Sequence, residues 1–138
     1  MASKEELDTC YMTCAEAHAA LSKANRRKVG AALVTRTGIV VGACNGLPRQ
    51  LGNVCETVDN VTKEEVIHAE NNCILKCAKE GVSTELSVMY VTTAPCRRCA
   101  SMLISAGVWK VIYRDEYNDM TGIELLKQSG VFVEKWRN

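Results

Sequence analysis

Leu7, Cys10, Tyr11, Cys14 and Leu21 recur at helical intervals, with His18 on the same stripe, after a Ser3–Glu6 pair that has capping-box spacing. This predicts a first helix that runs to about Ser22, where the basic stretch from Lys23 to Lys28 ends the pattern. Ala31–Thr35 and Ile39–Cys44 read as two strands joined by a turn at Thr37-Gly38, an antiparallel hairpin. Gly46 to Val66 has little periodicity and contains Pro48 and Gly52, so it reads as a long loop, and loops of that length usually serve function. Beyond it the pattern predicts a helix from His68 to Glu80 closed by Gly81, a strand Val88–Thr92 and a helix from Cys96 to about Ser105. A strand Val108–Tyr113, a helix Gly122–Gln128 and a strand Val131–Glu134 complete the series. Strands alternating with helices imply a sheet with helices packed on it, and the opening hairpin makes that sheet mixed.

The chain has 138 residues, 47% hydrophobic and 24% charged, which suits one compact domain spanning residues 1–138. Lys plus Arg number 17 against 16 for Asp plus Glu, a net charge of +1 that gives no global field for holding RNA or DNA. A small substrate fits better than a nucleic acid. The polar start, Met1 to Asp8, and the lack of any apolar run long enough for a signal core or membrane span point to a cytoplasmic protein with no membrane partner. The eight cysteines lie within periodic apolar patterns and read as reduced thiols, some in the core and some free to be ligands.

Cys96 and Cys99, at i and i+3, share one face at the start of a helix, with Pro95 suited to its first turn. The positive helix end favours their thiolates, and Zn²⁺ accepts Cys sulfur and His nitrogen in a tetrahedral shell. His68 opens its own helix two residues before Glu70, whereas His18 sits within an apolar stripe and reads as a satisfied core histidine. His68, Cys96 and Cys99 would hold one ion and leave a fourth position for water, the pattern of a catalytic zinc site. Glu70, beside the metal without coordinating it, is placed to take and deliver protons. Lys23, Arg26, Arg27 and Lys28 form a local cation cluster of the kind a mononucleotide phosphate requires.

His68-Ala69-Glu70 with Pro95-Cys96-Arg97-Arg98-Cys99 resembles the zinc signature of the cytidine deaminase superfamily. From Leu21 to Trp136 the chain is most similar to the deoxycytidylate (dCMP) deaminase family, through Ser22-Lys23, Val29-Gly30-Ala31, Asn45-Gly46 with Pro48, and Tyr117-Asn118-Asp119. The resemblance implies a three-layer α-β-α sandwich with a mixed five-stranded sheet. It implies hydrolytic deamination of dCMP to dUMP, which feeds thymidylate synthesis. It places Asn45 on the deoxyribose, Ser22 and Lys23 at the phosphate, the Ala69 N–H on the base carbonyl, and Tyr117 closing on the nucleotide, and the cation cluster adds Arg26 to the phosphate contacts. In the family the loop after Asn45 helps build a site where dCTP activates and dTTP inhibits, usually within a hexamer, so Gly46 and Arg49 are candidate effector contacts. Cys44 stands where the family commonly has tyrosine, and the loop lacks the extra metal-binding cysteines and histidines of several relatives.

The i, i+4 pairs Cys10 with Cys14 and Cys73 with Cys77 read as core packing rather than a second metal site. Arg97 and Arg98 read as solvated helix charges, and Cys55 has no evident partner. Two other functions compete: a deaminase of cytidine, guanine or tRNA adenosine, and a non-catalytic zinc module. Free cytidine deaminases usually carry cysteine where this chain has His68, a tRNA enzyme would need a basic surface, and a structural zinc module has no need of Glu70 or an open position.

Overall fold

The computed structural model describes residues 1–137. Its elements run α1 (Lys4–Ala19), β1 (Gly30–Val34), β2 (Val40–Cys44), α2 (Ala69–Glu80), β3 (Val88–Thr93), α3 (Arg97–Ser105), β4 (Lys110–Asp115), α4 (Thr121–Gln128) and β5 (Phe132–Lys135). The strands form one sheet in the order β2-β1-β3-β4-β5, with β1 antiparallel to both neighbours and β3, β4 and β5 parallel.

Alternation along the strands decides the layers. Ala32, Val34, Tyr90 and Ile112 pack on Met12 and Ala15 of α1. Ala31, Leu33, Met89, Val91, Val111 and Tyr113 face the opposite way, onto Ala69, Cys73 and Cys77 of α2, Ala100 and Leu103 of α3, and Ile123 and Leu126 of α4. One helix therefore covers one face and three cover the other, giving the expected three-layer sandwich with a mixed five-stranded sheet. No described helix is long and apolar enough to cross a membrane.

Local chemistry explains where the elements begin and end. Ser3 and Glu6 form the reciprocal capping box of α1. That helix ends at Ala19 rather than near Ser22, because Leu21 and Ser22 turn back onto the carbonyls of His18 and Ala19, leaving Leu21 exposed and directing the Ser22 hydroxyl to Asn45. Gly81 closes α2 in the left-handed region at φ 68°, the conformation glycine adopts without penalty. β4 starts at Lys110, two residues later than its apolar run suggests, because Val108 is buried from the preceding turn while its N–H bonds Leu103.

The stretch after β2 is more structured than a plain loop. Paired hydrogen bonds between Gly46 and Ile67 close its base, a short 3-10 turn covers Arg49–Leu51, and Lys63 donates to Cys55 while Thr57 donates to Val61 in a small antiparallel turn. Cys55 is buried there at 1% exposure, which gives this cysteine a packing role. Cys73 and Cys77 are core residues as expected, but Cys10 is exposed and Cys14 only half-buried, because α1 buries the face of Asp8, Met12 and Ala15 and not the stripe of Leu7, Cys10 and Cys14.

Candidate metal centre and substrate pocket

The two halves of the signature meet because two helices begin at the same place. His68 and Cys96 are the N-cap residues of α2 and α3, both with extended backbone, so each helix starts one residue later than its apolar pattern suggests. Gly122, near the start of α4, fits against the backbone of Pro95 and Cys96, where a Cβ would collide with it. This close approach fixes the turn that presents the two cysteines.

His68 Nδ1 lies 3.3 Å from Cys99 Sγ and 3.7 Å from Cys96 Sγ. All three donor atoms fall within 4.8 Å of one another, the single such group of His, Cys, Asp and Glu among the described residues. Zinc bonds of about 2.1 Å to nitrogen and 2.3 Å to sulfur in a tetrahedron separate their donors by about 3.6–3.8 Å, so the donor set and its spacing fit one zinc ion. Hydrogen bonding from Cys99 and then from His68 holds Cys96 down to about 3, while that same bond and burial push Cys99 up. The bond to Cys96 also raises His68. Cys96 is thus held ready as a thiolate, while Cys99 and His68 hold protons that a bound zinc ion would displace.

Glu70, in the first turn of α2, is 3% exposed. Burial pushes its carboxyl up to about 7 against the opposing pull of backbone hydrogen bonding and His68. With His68, Ala69 and Cys96 it lines a cavity of about 320 Å³ whose other walls include Arg26, Arg27, Asn45 and Tyr117. The Arg27 guanidinium stacks over the Tyr117 ring at 5.1 Å, joining the basic segment to the loop after β4.

Of the residues expected at the substrate, Arg26, Asn45, Ala69 and Tyr117 line this cavity. Ser22 is 2% exposed, and its hydroxyl donates to Asn45 Oδ1 at 2.8 Å while accepting from the Ala24 N–H, so it builds the wall behind Asn45. Lys23 faces a second cavity of about 340 Å³, which it lines with Gly46, Arg49 and Lys76 and which shares Asn45 with the first. Arg97 and Arg98 are exposed, as solvated charges should be. Sequence reasoning missed Glu56, a buried carboxylate on the substrate cavity's wall. It lies in a stretch with neither period nor motif, and nothing in the sequence separates it from Glu64 or Glu65.

Comparison with known proteins agrees with this geometry. The family model for the cytidine and deoxycytidylate deaminase zinc-binding region matches residues 5–115, which include all three zinc donors and Glu70. The chain belongs to this family. The dCMP deaminase of cyanophage S-TIM5, solved in complex with dCMP and dUMP, is 40% identical, with a TM-score of 0.92 over 98% of this chain and 100% of that one. The deoxycytidylate deaminase of Mycobacterium phage D29 is 30% identical over 83% of this chain and 98% of its own length. ComE operon protein 2 of Bacillus subtilis is 37% identical over 80% of this chain, which spans only 60% of that protein. The family's extent therefore varies, and the compact phage members share the length of this chain.

Proposed function

We propose that this chain deaminates dCMP to dUMP with release of ammonia, and so supplies the substrate for thymidylate synthesis. The observation that carries this is one cavity lined both by Glu70 and the His68 and Cys96 members of the zinc donor set and by Arg26, Arg27 and Asn45. That arrangement has a place for a reacting ring, a sugar and a phosphate. The similarity to the phage dCMP deaminases across nearly their whole length supports the same reading.

Zinc held by His68, Cys96 and Cys99 supplies Lewis-acid activation of water near neutral pH. Glu70 accepts the proton that water gives up and delivers it to the ring nitrogen beside the carbon under attack. It then takes the proton of the newly added hydroxyl and passes it to the amine, which leaves as ammonia as the carbon–nitrogen bond breaks and the carbon–oxygen bond becomes the uracil carbonyl. Its burial keeps bulk water from short-circuiting that transfer. The N–H of Ala69 is in the first turn of α2, where backbone donors have no intrahelical acceptor, and it serves the base carbonyl. Asn45 Oδ1 accepts from the Ser22 hydroxyl and the Val29 N–H, and one Nδ2 hydrogen is donated to the Arg27 carbonyl, which leaves a single N–H for the sugar hydroxyl. Arg26 and Arg27 meet the phosphate, and Tyr117, stacked under Arg27, closes over the nucleotide.

The second cavity suits a further nucleotide. Lys23, Arg49 and Lys76 are cations around a space that touches Gly46 and Asn45, which supports the binding of dCTP or dTTP there. Leu51, Val54, Val58 and Val61 are exposed along the same segment, which supports burial of this face in a homo-oligomer, a hexamer by resemblance.

Ammonia release from dCMP, CMP, deoxycytidine and cytosine, measured side by side, tests the assignment. The expected order places dCMP first, ahead of deoxycytidine because Arg26 and Arg27 would bind the phosphate, and ahead of CMP because the Asn45 side is expected to exclude a ribose hydroxyl. Equal rates on dCMP, CMP and deoxycytidine would refute that order. Turnover of none of the four by zinc-loaded protein would leave a zinc-binding module in place of the enzyme.

A further inference from the structure

Glu56 is 5% exposed and sits where the segment after β2 touches the basic segment before β1. It is carried by the small antiparallel turn described above, pairing with Thr62 and following the buried Cys55. Its Oε2 accepts the backbone N–H of Asn25 at 2.9 Å and that of Arg26 at 3.2 Å. Its Oε1 is buried with no hydrogen-bond partner. Ala24, Arg26 and Arg27, on either side of those two amides, line the same cavity as Glu70.

Stability alone does not favour such a residue. A buried carboxylate loses its hydration, and an oxygen left without a partner adds to that cost. A neutral glutamine would offer the same two N–H groups an acceptor at a smaller desolvation cost. What the charged oxygen adds is strength, because hydrogen bonds to an ionised acceptor are roughly twice as strong as neutral ones. The segment is tied on either side of this point, by the Ala24 N–H to Ser22 and by Asn45 Nδ2 to the Arg27 carbonyl, and Glu56 holds the two amides between them against the crowding of Lys23, Arg26, Arg27 and Lys28, all exposed.

We propose that Glu56 is a positioning residue for phosphate recognition, its carboxylate pinning the Asn25–Arg26 backbone so that Arg26 and Arg27 are aimed at the 5′-phosphate of the substrate. This rests on the dCMP reading above and adds to it a residue from a different segment, acting through the basic stretch rather than on the reacting atoms. Its effect belongs to phosphate binding, leaving proton transfer to Glu70.

The test compares kcat/KM for dCMP and deoxycytidine in the zinc-loaded wild type, Glu56→Ala and Glu56→Gln. Both substrates are measured on one preparation, so any misfolded fraction cancels from the ratio. In Glu56→Ala the dCMP-to-deoxycytidine ratio should fall at least about tenfold, the scale expected for losing hydrogen bonds to a charged group, through a raised KM for dCMP with kcat little changed. Glu56→Gln should fall between wild type and Glu56→Ala, because its amide oxygen accepts the same two N–H groups in weaker, neutral hydrogen bonds. If Glu56→Ala does not fold, the isosteric Glu56→Gln carries the test, with a rise in the KM of dCMP alone. An unchanged ratio, an equal loss on both substrates, or a glutamine variant no better than alanine would overturn the assignment. Equal kcat/KM for the two substrates in the wild type would remove the phosphate contact itself, and this role of Glu56 with it.

Discussion

Ser22 donates its hydroxyl to Asn45 Oδ1 at 2.8 Å, and the same oxygen accepts the Val29 N–H at 2.9 Å. Ser22 therefore acts through Asn45. Ser22→Ala removes the hydrogen bond that orients Asn45, worth about 1 kcal/mol, together with the one accepted from the Ala24 N–H, and should lower kcat/KM by about fivefold on dCMP and deoxycytidine alike. Steady-state kinetics on both substrates checks this. A loss confined to dCMP would place the hydroxyl on the phosphate.

Zinc content follows from the donor set. The protein should bind about one zinc ion per chain, and Cys96→Ala or Cys99→Ala should lose it, because two remaining donors make an inadequate shell. Elemental analysis of dialysed protein measures this. A second stoichiometric zinc would contradict the packing role of the buried Cys55, Cys73 and Cys77.

The metal site was legible in the sequence because its chemistry is local on each side: His68-Ala69-Glu70 at one helix start and Pro95-Cys96 with Cys99 at another. Periodicity also located the helices and strands, but it picked the wrong stripe of α1, which buries Asp8, Met12 and Ala15 and leaves Leu7 and Cys10 exposed. It misplaced the start of β4, because Val108 is apolar for the sake of a turn and alternation cannot tell a buried turn from a strand. The deeper parts of the site were not legible. Ser22 reads the same whether its hydroxyl faces a phosphate or Asn45, and Lys23 reads the same beside either cavity. Glu56 owes its role to a contact across a segment with no period, which only the folded chain reveals.

Stability should respond to pH through His18. Its ring packs over Gly42, where a Cβ would collide with it, and burial, followed by the charge of Lys76, holds its pKa below the ordinary value. Above about pH 6.5 the imidazole is neutral in both states and this contribution is fully present. As pH falls through that value the unfolded chain gains a proton that the folded one resists, and the contribution is lost towards the lower folded pKa. The melting temperature of the wild type should therefore fall further than that of His18→Gln between pH 8 and pH 5.5, values taken on either side of the ordinary histidine pKa. Parallel curves for the two proteins would contradict it.

Effector control should appear as a sigmoidal dCMP saturation curve made hyperbolic by dCTP and suppressed by dTTP, with a coupling of about 1–3 kcal/mol. Arg49→Ala should abolish inhibition by dTTP without changing the rate at saturating dCMP, because Arg49 lines the second cavity and not the first. Hyperbolic kinetics from a monomer that neither nucleotide alters at millimolar concentration would leave the loop a purely structural role.

The central claim is that Glu70 moves the protons of dCMP deamination beside a zinc ion. The most direct measurement is ammonia release from dCMP by zinc-loaded wild type and Glu70→Gln, with zinc content and melting temperature recorded on the same samples. The variant should keep its zinc and its fold while turnover drops by at least ~10²-fold, the lower end for a lost acid–base group. Near-wild-type turnover in zinc-loaded Glu70→Gln, or no ammonia from dCMP with the zinc-loaded wild type, would contradict it.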